Sequence, residues 1–283
     1  MSVTAGTPSA PAPPARPSPH AARFSSALQD ARRSRRSLLG ACLPAGWPPA
    51  LADDSAAYRH AASVLDIITV AVPTMSAPTD GPIMRAAHRA ALSGGWRPDD
   101  LPRLVAQLGA SGAMVLVTGH WHSFTDSDPA RFAASLANAG AAGVIIPDMP
   151  AEDSAFWTGP AADAGLHMIL VAGRRGVPAV RGSGAVYLPV DPGPAELTAR
   201  RHHGMVSRIR QVQAAAQLPV LAGIGISTSN RAMSAARAGA EAVFLGSSLV
   251  AAMTSHPESA SAAVSTVTAR FRSALETARS LPG

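Results

Sequence analysis

Eight short runs of apolar residues, separated by longer alanine-rich segments, constrain the fold of this chain more than any other feature of its sequence. The runs are continuous rather than alternating, which is typical of parallel strands that are buried on both faces. They predict eight strands, at residues 38–43, 64–72, 113–118, 143–146, 167–171, 185–188, 220–222 and 242–245.

The segments between the runs have the spacing of helices. Two of them end on a glycine directly before the next run, Gly140 and Gly239, as helix C-termini commonly do. Strands alternating with helices predict an α/β protein, a (β/α)8 TIM barrel. An open, doubly wound sheet is the alternative, because the pattern does not show closure. The predicted helices are residues 51–62, 83–92, 101–108, 130–139, 152–164, 206–216, 230–238 and 259–278.

The first thirty residues differ in composition from the rest of the chain. Six prolines fall within the first twenty positions, with alanine and serine between them. Such a segment has little to bury and predicts a disordered tail over residues 1–30. Residues 31–283 are then expected to form one barrel domain, and 47% apolar residues is enough for its core.

The charged residues exclude some functions. All 24 basic residues are arginine, and without lysine the chain cannot be a Schiff-base aldolase or a pyridoxal-phosphate enzyme. The net charge of +6 accompanies a general bias toward arginine and alanine, so we do not interpret it as a nucleic-acid surface. No stretch approaches the roughly 20 uninterrupted apolar residues that a membrane helix requires. We therefore expect neither nucleic acid nor membrane as a partner.

The single cysteine, Cys42, cannot form an internal disulfide bond and favours a reducing, cytoplasmic compartment. The segment at residues 35–42 superficially resembles a twin-arginine or lipoprotein signal. Its apolar part is shorter than the roughly 7–15 residues of a secretory signal, so we expect no export.

Two glycine-rich turns follow the last two predicted strands. Gly223 and Gly225 come after the seventh strand, and Gly246 and Ser247 come after the eighth. Backbone N–H groups at such turns can surround a phosphate because no Cβ blocks its approach. In TIM barrels a phosphate site frequently lies after these two strands, so we expect a small phosphorylated ligand there.

An ordered series of short motifs extends from residue 38 onward. Its members are Ala45-Gly46-Trp47-Pro48, Val72-Pro73, Asp80-Gly81-Pro82, the segment at residues 147–154, Gly223-Ile224-Gly225-Ile226-Ser227, Ala238-Gly239-Ala240 and Gly246-Ser247-Ser248-Leu249-Val250. In this order they resemble the motifs of the tryptophan synthase alpha chain family: its A-G-x-P turn, its V-P-x-S-D-P-x-A-D-G-P loop, its D-x-P-x-E-E-S segment, and its GFGIS, AGA and GSAIV motifs.

The resemblance implies a barrel that cleaves indole-3-glycerol phosphate to indole and glyceraldehyde 3-phosphate without a cofactor or metal. In the family, a Glu at the end of strand two moves protons and an Asp in the next loop holds the indole N–H. Asp80 matches the Asp, whereas Thr69 occupies the position of the Glu. A threonine hydroxyl does not exchange protons near neutral pH, so its presence predicts a loss of about 10²–10⁴ in rate. Asp66 lies three residues back and is expected to point elsewhere.

Other positions match the family less evenly. Tyr187 matches its tyrosine on strand six, and Thr198 matches the threonine of its closing loop only with a short gap. Additional prolines predict that this loop is stiffer than in the family. The loop after strand two, at residues 74–78, also departs from the family's F-S-D-P-L, which places its usual coupling to a beta chain in question.

Histidines near the strand ends suggest further chemistry. His120 and His122 follow strand three, and with Asp148 and Asp191 they could bind zinc or iron, although a solvated loop is the simpler interpretation. Asp191 is also a candidate alternative acid or base. His202 and His203 could meet a phosphate but fit a solvated helix start better.

Three functions therefore remain open. The chain is an alpha-chain-type lyase, or a non-catalytic homologue that docks on a beta chain and stimulates it, or a barrel repurposed for other lyase or isomerase chemistry through its histidines or Asp191. The substitution at Thr69 separates the first function from the other two.

Overall fold

Eight parallel strands close into one barrel, in which each strand pairs with the next and the last pairs with the first. The computed structural model describes residues 16–48, 56–76, 80–125, 128–173, 176–177, 182–190 and 200–280. The predicted TIM barrel is confirmed and the open sheet is excluded. The strands are β1 Leu38–Pro44, β2 Ile67–Ala71, β3 Met114–Thr118, β4 Ala141–Ile145, β5 His167–Val171, β6 Val186–Pro189, β7 Val220–Gly223 and β8 Ala242–Leu245.

Helices alternate with the strands, as predicted, with shifts of several residues at some ends. Three described helices were not predicted: α1, the short α5, and α10, which directly follows β8. No helix in the described ranges is long and apolar enough to cross a membrane. The helices are α1 Pro19–Arg33, α2 Ala56–Val64, α3 Pro82–Ser93, α4 Leu101–Ala110, α5 His122–Thr125, α6 Pro129–Asn138, α7 Ala155–Asp163, α8 Arg200–Ala216, α9 Ser229–Arg237, α10 Ser247–Ser255 and α11 Ala260–Ser280.

Successive strand residues face opposite sides of the barrel wall and enter two separate cores. Leu39, Ala41 and Leu43 of β1 belong to the larger core, which lies between the strands and the surrounding helices. Leu38 of β1 and Ile67 of β2 belong to the smaller core inside the barrel. This alternation determines which side chains reach the interior and, at the carboxyl ends of the strands, the mouth.

Helix α1 closes the amino-terminal end of the barrel. Phe24, Leu28 and Ala31 have no exposed surface and belong to the same interior core as Ile67. The predicted disordered tail is therefore wrong for residues 19–30, and its first part, residues 1–15, lies outside the described ranges. The prolines end at Pro19, which occupies the first turn of α1, where its missing N–H costs nothing.

Ion pairs hold the same end of the barrel. Glu241, which is buried, accepts hydrogen bonds from the Arg32 guanidinium of α1 at 2.7 Å and from the backbone N–H of Val220 at 2.6 Å. Asp66 precedes β2 and accepts the backbone N–H of Leu39 at 2.8 Å. The expectation that Asp66 points away from the mouth is confirmed, because its carboxylate is engaged at the opposite end.

Candidate active site

Thr69 lies in the wall of the barrel near its mouth. It pairs in register with Cys42 of β1 and Leu116 of β3, and Leu116 belongs to the interior core. The Thr69 side chain is almost fully buried, yet its hydroxyl has no hydrogen-bond partner among the described residues. Since buried polar groups are normally paired, this hydroxyl suits a polar atom of a ligand or a water molecule.

Asp80 follows β2 and is held in place by two contacts with α3. Its Oδ2 lies 3.1 Å from Nε2 of His88, which is buried on the inner face of α3. The Arg85 guanidinium donates to the backbone carbonyl of Asp80. The other carboxylate oxygen, Oδ1, makes no hydrogen bond or ion pair within the described residues and can accept a hydrogen bond from a ligand.

Tyr187 extends from β6 across the end of β7. A Cβ at Gly223 would collide with the Tyr187 hydroxyl, so glycine is required there for the ring to occupy this position. The ring packs edge-on against Phe244 of β8, with 5.9 Å between the ring centroids. Gly223 therefore makes room for Tyr187, which is a different role from the predicted direct contact with phosphate.

Cys42 and Tyr187 are partly buried in the mouth and lie close to the charge of Asp80. Burial raises the pKa of the Cys42 thiol to about 12, and the Asp80 carboxylate adds to this rise. Burial also raises the pKa of the Tyr187 phenol far above its ordinary value; Cys42 and Asp80 add to the rise, whereas a backbone hydrogen bond from Ile224 opposes it. Cys42 and Tyr187 therefore both keep their protons near neutral pH.

The turns after β7 and β8 lie at the same end of the barrel, because these strands are neighbours and parallel. Gly225 has a φ of 104°, a conformation that favours glycine. Gly246 has open space where a Cβ would lie, and no side chain caps α10, which begins at Ser247. The first amides of a helix have no partner within it, so those of α10 are available to an anion.

Helix α9 differs from α10 in this respect, because the Thr228 side chain accepts the backbone N–H of Arg231 and caps it. The Arg231 guanidinium, in the first turn of α9, has Nε and Nη2 buried without a partner in the described part of the chain. An unpaired buried cation is costly, and a cation in the first turn also opposes the helix dipole. Both unfavourable terms would be relieved by an anion nearby.

His120, His122 and Asp148 form a cluster on the rim of the barrel. Nδ1 of His120 lies 3.1 Å from Oδ2 of Asp148, and Nε2 of His122 lies 3.2 Å from the hydroxyl of Thr74. The described ranges contain no group of three or more potential metal ligands. The metal hypothesis thus finds no support here, and Asp191, its fourth member, lies outside the described residues.

Thr198, like Asp191, lies outside the described residues. His202 and His203 lie near the start of α8, in agreement with the predicted helix start.

Sequence reasoning did not identify His88 or Arg231 as site residues, and it did not place Cys42 in the mouth. His88 could have been noticed as a histidine on the apolar face of a predicted helix, since it follows Met84 and Ala87 at helical spacing.

Comparisons with known proteins agree on one family. A family model described as "Tryptophan synthase alpha chain" matches residues 28–279. The tryptophan synthase alpha chain of Streptomyces avermitilis is 33% identical over 81% of this chain and 85% of its own length. That of Streptomyces coelicolor is 33% identical over 82% of this chain and 88% of its own length.

Solved structures show the same fold. Tryptophan synthase subunit alpha from Legionella pneumophila has a TM-score of 0.76 at 21% identity, covering 90% of this chain and 98% of that one. A chain of tryptophan synthase from M. tuberculosis has a TM-score of 0.74 at 24% identity, covering 89% of this chain and 99% of that one.

Proposed function

Because the chain belongs to the tryptophan synthase alpha chain family, we propose that it binds indole-3-glycerol phosphate in the barrel mouth and cleaves it in the cytoplasm. Proteins of this family cleave that substrate to indole and glyceraldehyde 3-phosphate. The observation that carries the proposal is the arrangement at the mouth: the uncapped α10 follows β8, which pairs with β1, and the charge of Asp80 acts on Cys42 of β1.

The phosphate group is assigned to the turns after β7 and β8. The amides of Gly225, Gly246 and Ser247 donate to it, and the positive end of the α10 dipole favours its charge. The unpaired Arg231 guanidinium supports an anionic ligand in this region. Thr198, in the closing loop of the family, is assigned to the same group on the resemblance alone.

The indole ring is assigned to the part of the mouth next to the phosphate site, near β1 and β2. Asp80 accepts the indole N–H, and its partly buried carboxylate makes this hydrogen bond stronger than in water. Tyr187 and Cys42, both uncharged, form the wall against which the substrate packs. The register of β8 with β1 brings Gly246 next to Cys42, and Cys42 pairs with Thr69 of β2. The proposed positions of the phosphate and of the indole are therefore only a few residue spacings apart.

Thr69 limits the rate of the proposed reaction. Its hydroxyl can donate or accept a hydrogen bond with the substrate but does not take up a proton near neutral pH. We expect turnover below that of a chain with Glu at this position by about 10²–10⁴.

The second candidate function is binding to a beta chain and stimulating it without cleavage. Thr69 favours it, and so does the exposed apolar surface on the rim: Met75 after β2 is 70% exposed, and Phe156 of α7 contacts Trp121 edge-on. Such surface suits a protein partner.

The test is to incubate the purified chain with indole-3-glycerol phosphate and follow the release of indole, alone and with a beta chain. Turnover that is lost in Asp80→Ala supports cleavage. Absent turnover combined with faster beta-chain synthesis of tryptophan from serine and indole selects the second function. Absence of both effects refutes both assignments.

A further inference from the structure

We propose that the hydroxyl of Tyr187 holds Ile224 in a left-handed backbone conformation, and that this contact positions the Gly225 amide for the phosphate group. Tyr187 is therefore a positioning residue for the turn after β7. The inference rests on the proposed function, because it concerns the phosphate site of the same mouth. It gives the Tyr187 hydroxyl a role that is separate from the packing of its ring against the substrate.

Ile224 has a backbone conformation that isoleucine rarely adopts. Its φ is 44°, and the next residue, Gly225, has a φ of 104°. Glycine adopts such values freely, whereas a β-branched residue with a positive φ is strained and keeps this conformation only where its surroundings hold it. The two other non-glycine residues with positive φ in the described ranges, Arg35 and Gln217, lie just after the ends of α1 and α8, where left-handed residues are common. Ile224 follows a strand instead, so a different contact must hold it.

The Tyr187 hydroxyl lies at the point where β7 ends and the turn begins. A Cβ at Gly223 would collide with this hydroxyl, which places the phenol oxygen beside the last residue of β7, directly before Ile224. The backbone N–H of Ile224 also donates a hydrogen bond to the phenol. Burial raises the pKa of Tyr187, and the Ile224 hydrogen bond opposes this rise, as a donor to the phenol oxygen does. The hydroxyl is thus the group that meets the strained residue.

Packing on neighbouring strands holds the Tyr187 ring in place. The ring packs edge-on against Phe244 of β8. Phe244 in turn fills the space beside Gly40 of β1, where an added Cβ would lie 2.6 Å from the Phe244 ring. The backbone carbonyl of Tyr187 accepts the N–H of Ala172 at 2.8 Å, which ties β6 to the end of β5. These contacts fix the hydroxyl relative to the strands, so it can restrain the turn.

The conformation of Ile224 decides where the next amide points. Rotation about its φ swings the peptide that carries the Gly225 N–H, so a change from 44° to an ordinary negative value turns this N–H away from its present direction. A site whose binding-competent conformation is only partly populated binds its ligand more weakly, in proportion to that population. Loss of the Tyr187 hydroxyl should therefore weaken phosphate binding and leave indole binding unchanged.

The experiment measures the binding of glycerol 3-phosphate and, separately, of indole by calorimetry. Tyr187→Phe keeps the ring and its packing on Phe244 but removes the acceptor for the Ile224 N–H. We expect its affinity for glycerol 3-phosphate to fall by about tenfold, the order expected when a protein N–H loses its partner, and its affinity for indole to stay that of the wild type. Tyr58→Phe is the matched control, because it removes the same atom from a tyrosine whose hydroxyl donates to the Pro44 carbonyl. It should leave the affinity for glycerol 3-phosphate unchanged.

A second set of variants tests whether Ile224 mediates the effect. In an Ile224→Gly background, Tyr187→Phe should cost much less affinity for glycerol 3-phosphate, because glycine keeps a positive φ without support. In an Ile224→Val background, which retains a β-branched side chain, the full loss should persist. A folded Tyr187→Phe variant with wild-type affinity, equal losses in the glycine and valine backgrounds, or an equal loss of indole affinity each overturn the inference. A wild-type chain that binds no glycerol 3-phosphate refutes the proposed phosphate site itself, so the two failures are distinguishable.

Discussion

Replacing Ser247 by proline should weaken phosphate binding without disturbing α10. Ser247 is the first residue of this helix, and no side chain caps the helix end. Proline is well tolerated at the first helical position because its fixed φ suits the helix, but it has no N–H to donate. The substitution thus removes one proposed phosphate contact and keeps the backbone path.

The expected magnitude follows from the charge on the acceptor. A hydrogen bond to a charged group contributes about 1.5–3 kcal/mol, which corresponds to about a 10- to 150-fold change in affinity. We expect KM for indole-3-glycerol phosphate to rise by this factor, and the affinity for glyceraldehyde 3-phosphate, measured by calorimetry, to fall similarly. The thermal unfolding temperature should stay close to that of the wild type.

Two control variants isolate the amide. Ser229→Pro makes the same change at the first residue of α9, which the Thr228 side chain caps, and it should leave KM unchanged. Ser247→Ala removes the hydroxyl and keeps the N–H, so it should retain most of the affinity. Wild-type affinity in a folded Ser247→Pro variant would show that this amide does not contact the phosphate.

Three further predictions concern the mouth and the opposite end of the barrel. Thr69→Glu should raise kcat for indole release by up to about 10²–10⁴, whereas Thr69→Gln, which cannot titrate, should not. Phe24→Ala should lower the free energy of unfolding by about 3–5 kcal/mol in a urea titration, because Phe24 is fully buried under the barrel, whereas exposed Gln29→Ala on the same helix should change it little. Burial lowers the pKa of His167 from 6.5, so the unfolded chain takes up its proton at a higher pH than the folded chain does. The contribution of His167 to stability is therefore complete above about pH 6.5, its pKa in the unfolded chain, and is lost as the pH falls through its lower pKa in the folded chain. Urea titrations between pH 8 and 5 should show the free energy of unfolding falling with pH, and this dependence on pH should be weaker in His167→Gln.

Most of the barrel could be predicted from the sequence because its strands are buried on both faces and read as continuous apolar runs. Helix α1 was missed although Phe24, Leu28 and Ala31 have helical spacing, because the prolines before them dominate the composition. Helix α10 was missed for a different reason. It follows β8 after a single glycine, and its first residues were assigned to the glycine-rich turn after the strand.

The sequence predicted those parts of the candidate site that depend on the identity of single residues. The substitution at Thr69 and the match at Asp80 are visible in the motifs, and the parallel strands bring Gly225 and Gly246 to one end as expected. The contact of His88 with Asp80 was not predictable, because it depends on how α3 packs against the mouth.

The amino-acid order alone determined the class of fold, because the strand runs show which residues must avoid water, and it indicated the end of the candidate site through the glycines that follow the last two strands. The tertiary structure alone decided which groups meet inside that frame: Phe24 beneath the interior core, Tyr187 above Gly223, and His88 behind Asp80. Each of these contacts depends on how the packed elements meet and not on any local pattern.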